Sequence, residues 1–250
     1  MFKGYYNLTS GMLTQQRNLN VVANNLTNVS TAGFKASRYT SSTFGEVMFS
    51  RVGNKDKENY TDIGTQSYIR ATSEIVTDFT QGTLEPTGIP LDFTIEGEGF
   101  FAIRNEAGET RYTRAGSFSL DNEGYLCYGG FGRVLGYDGE EIALRTDKIS
   151  GDEYGRIYTE NGMLLGRLGV FTFDDEAQLE YNEEGFFVGA EGQAMDTPTV
   201  HWRYLERSNV DMVKEMTEML SSQRAFQSAA QVSKIYDQLM TKATTEIGRL

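Results

Sequence analysis

The sequence predicts an α+β protein: long N- and C-terminal helices paired as a coiled-coil-like domain, with an inserted all-β domain. Three observations predict it. Apolar residues recur at heptad-like spacing near both ends and not in the middle. From Gln193 to Ile247 there is no glycine, although the chain has 27. Charge divides the same way. Residues 1–40 carry Lys3, Arg17, Lys35 and Arg38 with no acidic residue, and residues 201–250 net +1; the overall −12 therefore leaves −17 for residues 41–200.

Composition narrows the function classes. A chain of 250 residues can bury a substantial core, and 39% hydrophobic with 12% aromatic residues argues against global disorder. A pI near 4.7 argues against nucleic acid as a partner, because phosphate binding needs a basic footprint. No apolar run approaches the roughly 18–20 residues that span a bilayer, so direct membrane insertion is not expected. The opening Met-Phe-Lys-Gly-Tyr-Tyr-Asn lacks the apolar stretch of a secretory signal, so no cleaved signal is expected. Cys127 is the sole cysteine, which excludes an intrachain disulfide. That fits a cytoplasmic protein, or one exported without reliance on disulfides.

The first element is a helix. Tyr5, Leu8, Met12, Gln15, Leu19, Val22, Leu26 and Val29 alternate spacings of three and four, and only Gln15 is polar. The helix should stop near Asn28, where Asn24, Asn25, Thr27 and Asn28 are poor helix formers. Two readings stay open: an amphipathic helix packed on its own domain, or a docking helix. The absence of acidic residues favours docking, since a solvated face usually carries both signs.

Residues 36–80 are rich in Ser, Thr and Asn, with a charged patch from Arg51 to Glu58, and read as an extended connector with short strands. The character changes from Gly82. Leu91-Asp92-Phe93-Thr94-Ile95 alternates with period two, Glu96-Gly97-Glu98-Gly99 reads as a tight turn, and Phe100 to Ile103 reads as a second strand. Phe118 to Leu120 and Tyr125-Leu126 flank a hairpin signal at Asp121 to Gly124. Arg133 to Tyr137, Gly166 to Phe173 and Gly185 to Val188 are further strand candidates. From Asn209 onward the chain is rich in Met, Leu, Ala, Gln, Glu and Lys, which are good helix formers. Ser208 and Asp211 suggest a capping box with Ser208 as the cap. Met212, Met216, Met219, Phe226 and Ala230 form one apolar phase, and Ala229, Val232, Tyr236, Leu239, Ala243 and Leu250 a second. Gly248 suits the stop. A helix of about 40 residues would run roughly 60 Å and needs a partner along its length, for which the N-terminal helix is the candidate.

No catalytic constellation emerges, and no enzyme activity, cofactor or metal is expected. His201 is the only histidine, which excludes multi-His sites. Cys127 lies in a strand pattern between Tyr125 and Tyr128 with no histidine near in sequence. Gly129-Gly130-Phe131-Gly132 lacks the lysine and the strand–loop–helix setting of a phosphate loop. Asp174-Asp175-Glu176 and Glu183-Glu184 miss the alternating ligand spacing of a calcium loop.

Three ordered motifs resemble the rod and hook family of bacterial flagellar axial proteins. Ala23-Asn24-Asn25-Leu26-Thr27-Asn28, followed by Thr31-Ala32-Gly33-Phe34-Lys35, is similar to the family's N-terminal signature. Leu205-Glu206-Arg207-Ser208-Asn209-Val210-Asp211, followed by Ser222-Gln223-Arg224-Ala225-Phe226, is similar to its C-terminal pattern. Gln81-Gly82-Thr83-Leu84-Glu85-Pro86-Thr87-Gly88, continuing through Gly97-Glu98-Gly99-Phe100-Phe101 and Tyr112-Thr113-Arg114-Ala115-Gly116-Ser117-Phe118, resembles the start of its β domain.

The resemblance implies a structural subunit of the basal-body rod that assembles into a helical tube, transmits torque and leaves the cell by type III export. It implies a helical assembly domain from 1–35 and 205–250, an extended connector at 36–80, and a β-rich outer domain at 81–204. Implied partners are copies of itself, other axial proteins and the export apparatus, at the flagellar basal body. The modest length points to a rod protein, distal or proximal. A hook-type protein and a secreted β-rich adhesin with a helical stalk are the alternatives. The assembly interface is expected at Leu8, Met12, Leu19, Val22, Asn24, Asn25, Leu26, Asn28 and Phe34, and at Ser208, Asn209, Val210, Met216, Leu220, Arg224, Phe226, Val232, Tyr236 and Leu239. The terminal segments are expected to order on assembly, when burial offsets their conformational entropy.

Overall fold

A computed structural model describes residues 2–43, 47–52, 60–66, 70–105, 107–173, 179–182, 185–189 and 192–247. The chain forms two compact units. One comprises Met1–Leu26, Ser37–Val76 and Asp211–Leu250, and the other Thr27–Ala36 and Thr77–Val210. Most of the patch from Arg51 to Glu58, the acidic runs at 174–176 and 183–184, and Gly248 lie outside the described residues.

The first unit holds two helices, α1 (Phe2–Thr27) and α2 (Met212–Ile247). At about 1.5 Å per residue they are roughly 39 and 54 Å long. The helices pack on each other. Asn18 Nδ2 donates to Ser222 Oγ at 2.9 Å and to Glu218 Oε1 at 3.3 Å. Fourteen residues earlier on α1, a Cβ at Gly4 would lie 2.9 Å from the Tyr236 hydroxyl, fourteen residues later on α2. The pair is therefore antiparallel. The end of α1 and the start of α2 share one end of the pair, and α2 continues past the start of α1 beyond about residue 238. Serine and threonine inside both helices satisfy their hydroxyls on the carbonyl four residues back, as Thr14 does on Ser10 and Thr217 on Val213.

The start of α2 differs from the capping box read in the sequence. Asp211, not Ser208, is the cap: its Oδ1 accepts the amides of Val213 at 2.9 Å and Lys214 at 3.2 Å. Ser208 Oγ instead accepts the amide of Val210 at 3.3 Å. The same unit contains two strand pairs, Ser37–Thr43 with Arg70–Thr77 and, antiparallel, Val47–Val52 with Tyr60–Gln66. Asn25 ties α1 to the first of them, donating to the Ser37 carbonyl at 2.8 Å and accepting its amide at 3.0 Å.

The second unit is built around the strand Phe100–Arg104, which pairs antiparallel with Thr110–Thr113, Gly132–Val134 and Val170–Thr172. A strand covered on both faces reads as a continuous apolar run, and Phe100, Phe101, Ala102 and Ile103 are all buried. Its side chains alternate between two cores. Phe101 joins Phe93, Ile95, Leu126, Val134, Ile157, Leu168 and Val200, whereas Phe100 and Ala102 join Tyr112, Leu135, Leu179 and Phe187. Edge-to-face contacts add geometric preference, as between Tyr112 and Phe173 at 4.7 Å and Phe101 and Phe118 at 5.2 Å.

The hairpin read at Asp121 to Gly124 forms between Ser119–Leu120 and Leu126–Tyr128, with the Asp121 carboxylate accepting the amides of Glu123 and Tyr125. The turn at Glu96 to Gly99 separates two strands that do not pair with each other. Phe93–Glu96 pairs with Thr199–Trp202, more than a hundred residues on, while Phe100–Arg104 enters the large sheet.

Candidate functional site

Among the described residues, His201, Cys127 and Arg133 each make structural contacts. His201 Nε2 lies 2.6 Å from Glu96 Oε2 across two paired strands, with Tyr204 beside its ring. Cys127 is half-buried with Ser119 Oγ 3.3 Å from its Sγ. Gly129 to Phe131 make the turn between the paired strands Leu126–Tyr128 and Gly132–Val134. Arg133 gathers Asp121, Glu123 and Glu141 at 2.6–2.9 Å with its guanidinium over the ring of Tyr125, and its hydrogen bonds to Glu141, Glu123 and Asp121 raise its pKa. Among the described residues no group of three or more His, Cys, Asp or Glu is placed to hold a metal ion. No described helix is long and apolar enough to cross a membrane.

Two features remain as candidate sites. The first is the outer face of the helix pair. On α2, Met212, Val213, Met216, Leu220, Val232, Ile235 and Leu239 are exposed, Val213 to 74% and Leu239 to 59%. On α1, Tyr5, Tyr6 and Leu13 are exposed. An open groove between the helices is lined by polar and small residues, including Gln15, Asn18, Thr217, Glu218, Ser221 and Ala225. Apolar side chains in water along a helix of 36 residues lack the burial that normally stabilises such an element.

The second feature is a buried junction in the second unit, where three passages of chain meet at Glu206. Lys35 Nζ donates to Glu206 Oε1 at 2.6 Å, and both side chains are 1% exposed. The Gly82 amide donates to the same oxygen at 2.8 Å. Arg114 Nη1 stands 3.6 Å from Glu206 Oε2, while its Nη2 donates to the Gly97 carbonyl at 2.7 Å. The Glu206 carbonyl accepts the Gly33 amide at 2.8 Å. Three residues on, Asn209 accepts the Ala36 amide at 2.7 Å and donates to the carbonyls of Asp78 and Thr80 at 2.8 and 3.0 Å. A carboxylate removed from water needs opposite charge and donors, and these contacts supply both. The close approach also demands glycine. A Cβ at Gly82 would lie 1.9 Å from the Arg207 carbonyl oxygen, and one at Gly33, where φ is +70°, would lie 2.3 Å from the Ala115 amide nitrogen.

The residues expected at an assembly interface are spread over both features. Leu8, Met12, Leu19, Leu26, Phe226 and Tyr236 are half-buried on the helices, Val22 and Asn25 are buried, and Asn24 is exposed. Met216, Leu220, Arg224, Val232 and Leu239 are exposed on α2. Asn28, Phe34, Ser208, Asn209 and Val210 belong to the second unit, where Asn28 accepts the Thr31 hydroxyl and Phe34 meets Tyr181 edge-on at 5.9 Å. Lys35, Glu206 and Arg114 were not picked from the sequence as functional positions, although all three stand inside the quoted motifs. A lone lysine, glutamate and arginine far apart in sequence carry no local signal of pairing. The contacts through Gly4 and Asn18 were also missed; their signal is a stride of fourteen residues, two heptads, on small and polar positions rather than apolar ones.

Comparison with known proteins finds three matches along the chain. Residues 6–35 match the family model for flagella basal body rod proteins. Residues 94–131 match that for the flagellar hook protein FlgE/F/G D1 domain, and residues 203–246 that for the C-terminal part of the flagellar basal body rod FlgEFG proteins. The chain is similar to the flagellar basal-body rod protein FlgG of Bacillus subtilis, 32% identical over 96% of this chain and 97% of the relative. It is also similar to the hook-basal body complex protein FlhO of the same organism, 28% identical over the whole of both chains. The basal-body rod protein FlgF of Caulobacter vibrioides is 28% identical over 96% of each.

Proposed function

Because this chain belongs to the flagellar basal-body rod and hook protein family, we propose that its paired terminal helices are the surface through which it assembles into the axial rod. It is a structural axial protein of the flagellar basal body. The observation that carries the assembly reading is the apolar face of α2, exposed from Met212 to Leu239 while the opposite face meets α1. Neighbouring copies, and other axial proteins at the ends of the rod, would cover that face. Met216, Leu220, Val232 and Leu239 are the central contacts, with Leu8, Met12, Leu19, Val22 and Leu26 supporting them from α1. Repeated head-to-tail contacts that do not close generate an open helical tube, and torque then passes through a stiff lattice rather than a moving site. The role is non-catalytic, and delivery is by type III export to the basal body. The range of rod relatives, FlgG and FlgF alike, supports a rod position over the hook.

Negative-stain imaging of the concentrated protein tests the proposal. Tubes or filaments are expected above a critical concentration. Monodisperse particles at every concentration, alone and with rod relatives added, would sink it and favour a stalked binding protein.

A further inference from the structure

We propose that the junction of Lys35, Glu206 and Asn209 is a conformational lock, which makes the pairing of α1 with α2 depend on closure of the second unit. The inference is independent of the axial role. Glu206 Oε1 takes one partner from each of two passages, Lys35 Nζ and the Gly82 amide, and Asn209 bridges the Ala36 amide to the carbonyls of Asp78 and Thr80. A buried carboxylate that loses one of these partners loses part of the compensation for its burial, so closure of one passage favours closure of the others.

The lock sits close along the chain to both helices. Gly33 lies six positions past Thr27 at the end of α1, and Asn209 lies three positions before Met212 at the start of α2. The antiparallel register puts those two helix ends at the same end of the pair. With the lock closed, the helices are held on short tethers, and their effective concentration for each other is high. With it open, they are joined only through a far longer span of chain, and closing that span costs entropy.

Hydrogen exchange on the full-length chain at dilute, monomeric concentration tests the lock. Glu206→Gln keeps the side-chain shape and removes the charge. The amides of Gly33, Ala36 and Gly82 report the junction, and those of 14–25 and 215–229 report helix pairing. Both sets should exchange about tenfold faster or more, with the near-UV circular dichroism of the second unit retained. Open junction amides with unchanged helix protection would overturn the proposal, and so would junction amides that stay protected. Should E206Q lose its near-UV signal, Asn209→Ala, which leaves the ion pair in place, is read by the same criteria. In a cycle of Lys35→Met with E206Q, the double variant should accelerate helix exchange by much less than the product of the single effects; a simple product would refute the coupling.

Discussion

Replacing Leu220 and Leu239 together by alanine probes the assembly face without touching the fold. The two side chains are 55% and 59% exposed, so roughly half of each remains to be buried by a neighbour. Full burial of a leucine contributes about 1.5–3 kcal/mol, so each has about 1 kcal/mol still to gain and the pair about 2 kcal/mol. Alanine is at least as good a helix former as leucine, so α2 itself should not weaken. At about 1.4 kcal/mol per factor of ten, the double variant should need roughly 30-fold more protein to polymerise. Sedimentation of polymer across a concentration series gives the critical concentration, and helical circular dichroism of the monomer controls for folding. A critical concentration within twofold of the unmodified protein, with normal helicity, would refute the reasoning.

Three further outcomes are expected. Gly82→Ala drives a Cβ into the Arg207 carbonyl oxygen, at 1.9 Å in the unrelaxed structure, and should lower the melting point of the second unit by roughly 5–10 °C through about 2–3 kcal/mol of overpacking; calorimetry reads it. Asp211→Ala removes the cap that accepts two amides and should cost about 1 kcal/mol, visible as faster exchange in the first turn of α2. Burial, reinforced by Tyr128, pushes the Tyr181 phenol up to about 12. Its contribution to stability is complete below the unfolded value of about 10 and is lost as pH rises toward 12. Tyr181→Phe should therefore flatten the fall of the unfolding midpoint across that alkaline window, and an unchanged slope would count against it.

Particular elements separate what was legible from what was not. The helical character of the C-terminal segment follows from a glycine-free run of good helix formers, and α2 spans Met212–Ile247. The cap was misread because serine and aspartate both cap well. The helix begins one residue after Asp211, while the Ser208 hydroxyl serves the amide of Val210. The turn at Glu96 to Gly99 was legible from its residues, but the partners of its flanking strands were not. Thr199–Trp202 reaches Phe93–Glu96 from across the whole β region. The seam was read through Leu8, Met12, Leu19 and Val22, yet the contacts that define the antiparallel register run through Gly4 and Asn18, where small size and hydrogen bonding let the helices approach.

By itself the sequence determined the periodicities, the propensities and the placing of acidic residues in the middle of the chain, because these are local properties of residue order. Tertiary structure alone decided which distant groups share a low-dielectric site. Lys35 and Glu206 are 171 residues apart and neither announces a partner, but a buried charge is tolerated only where its counter-charge and donors are brought to it.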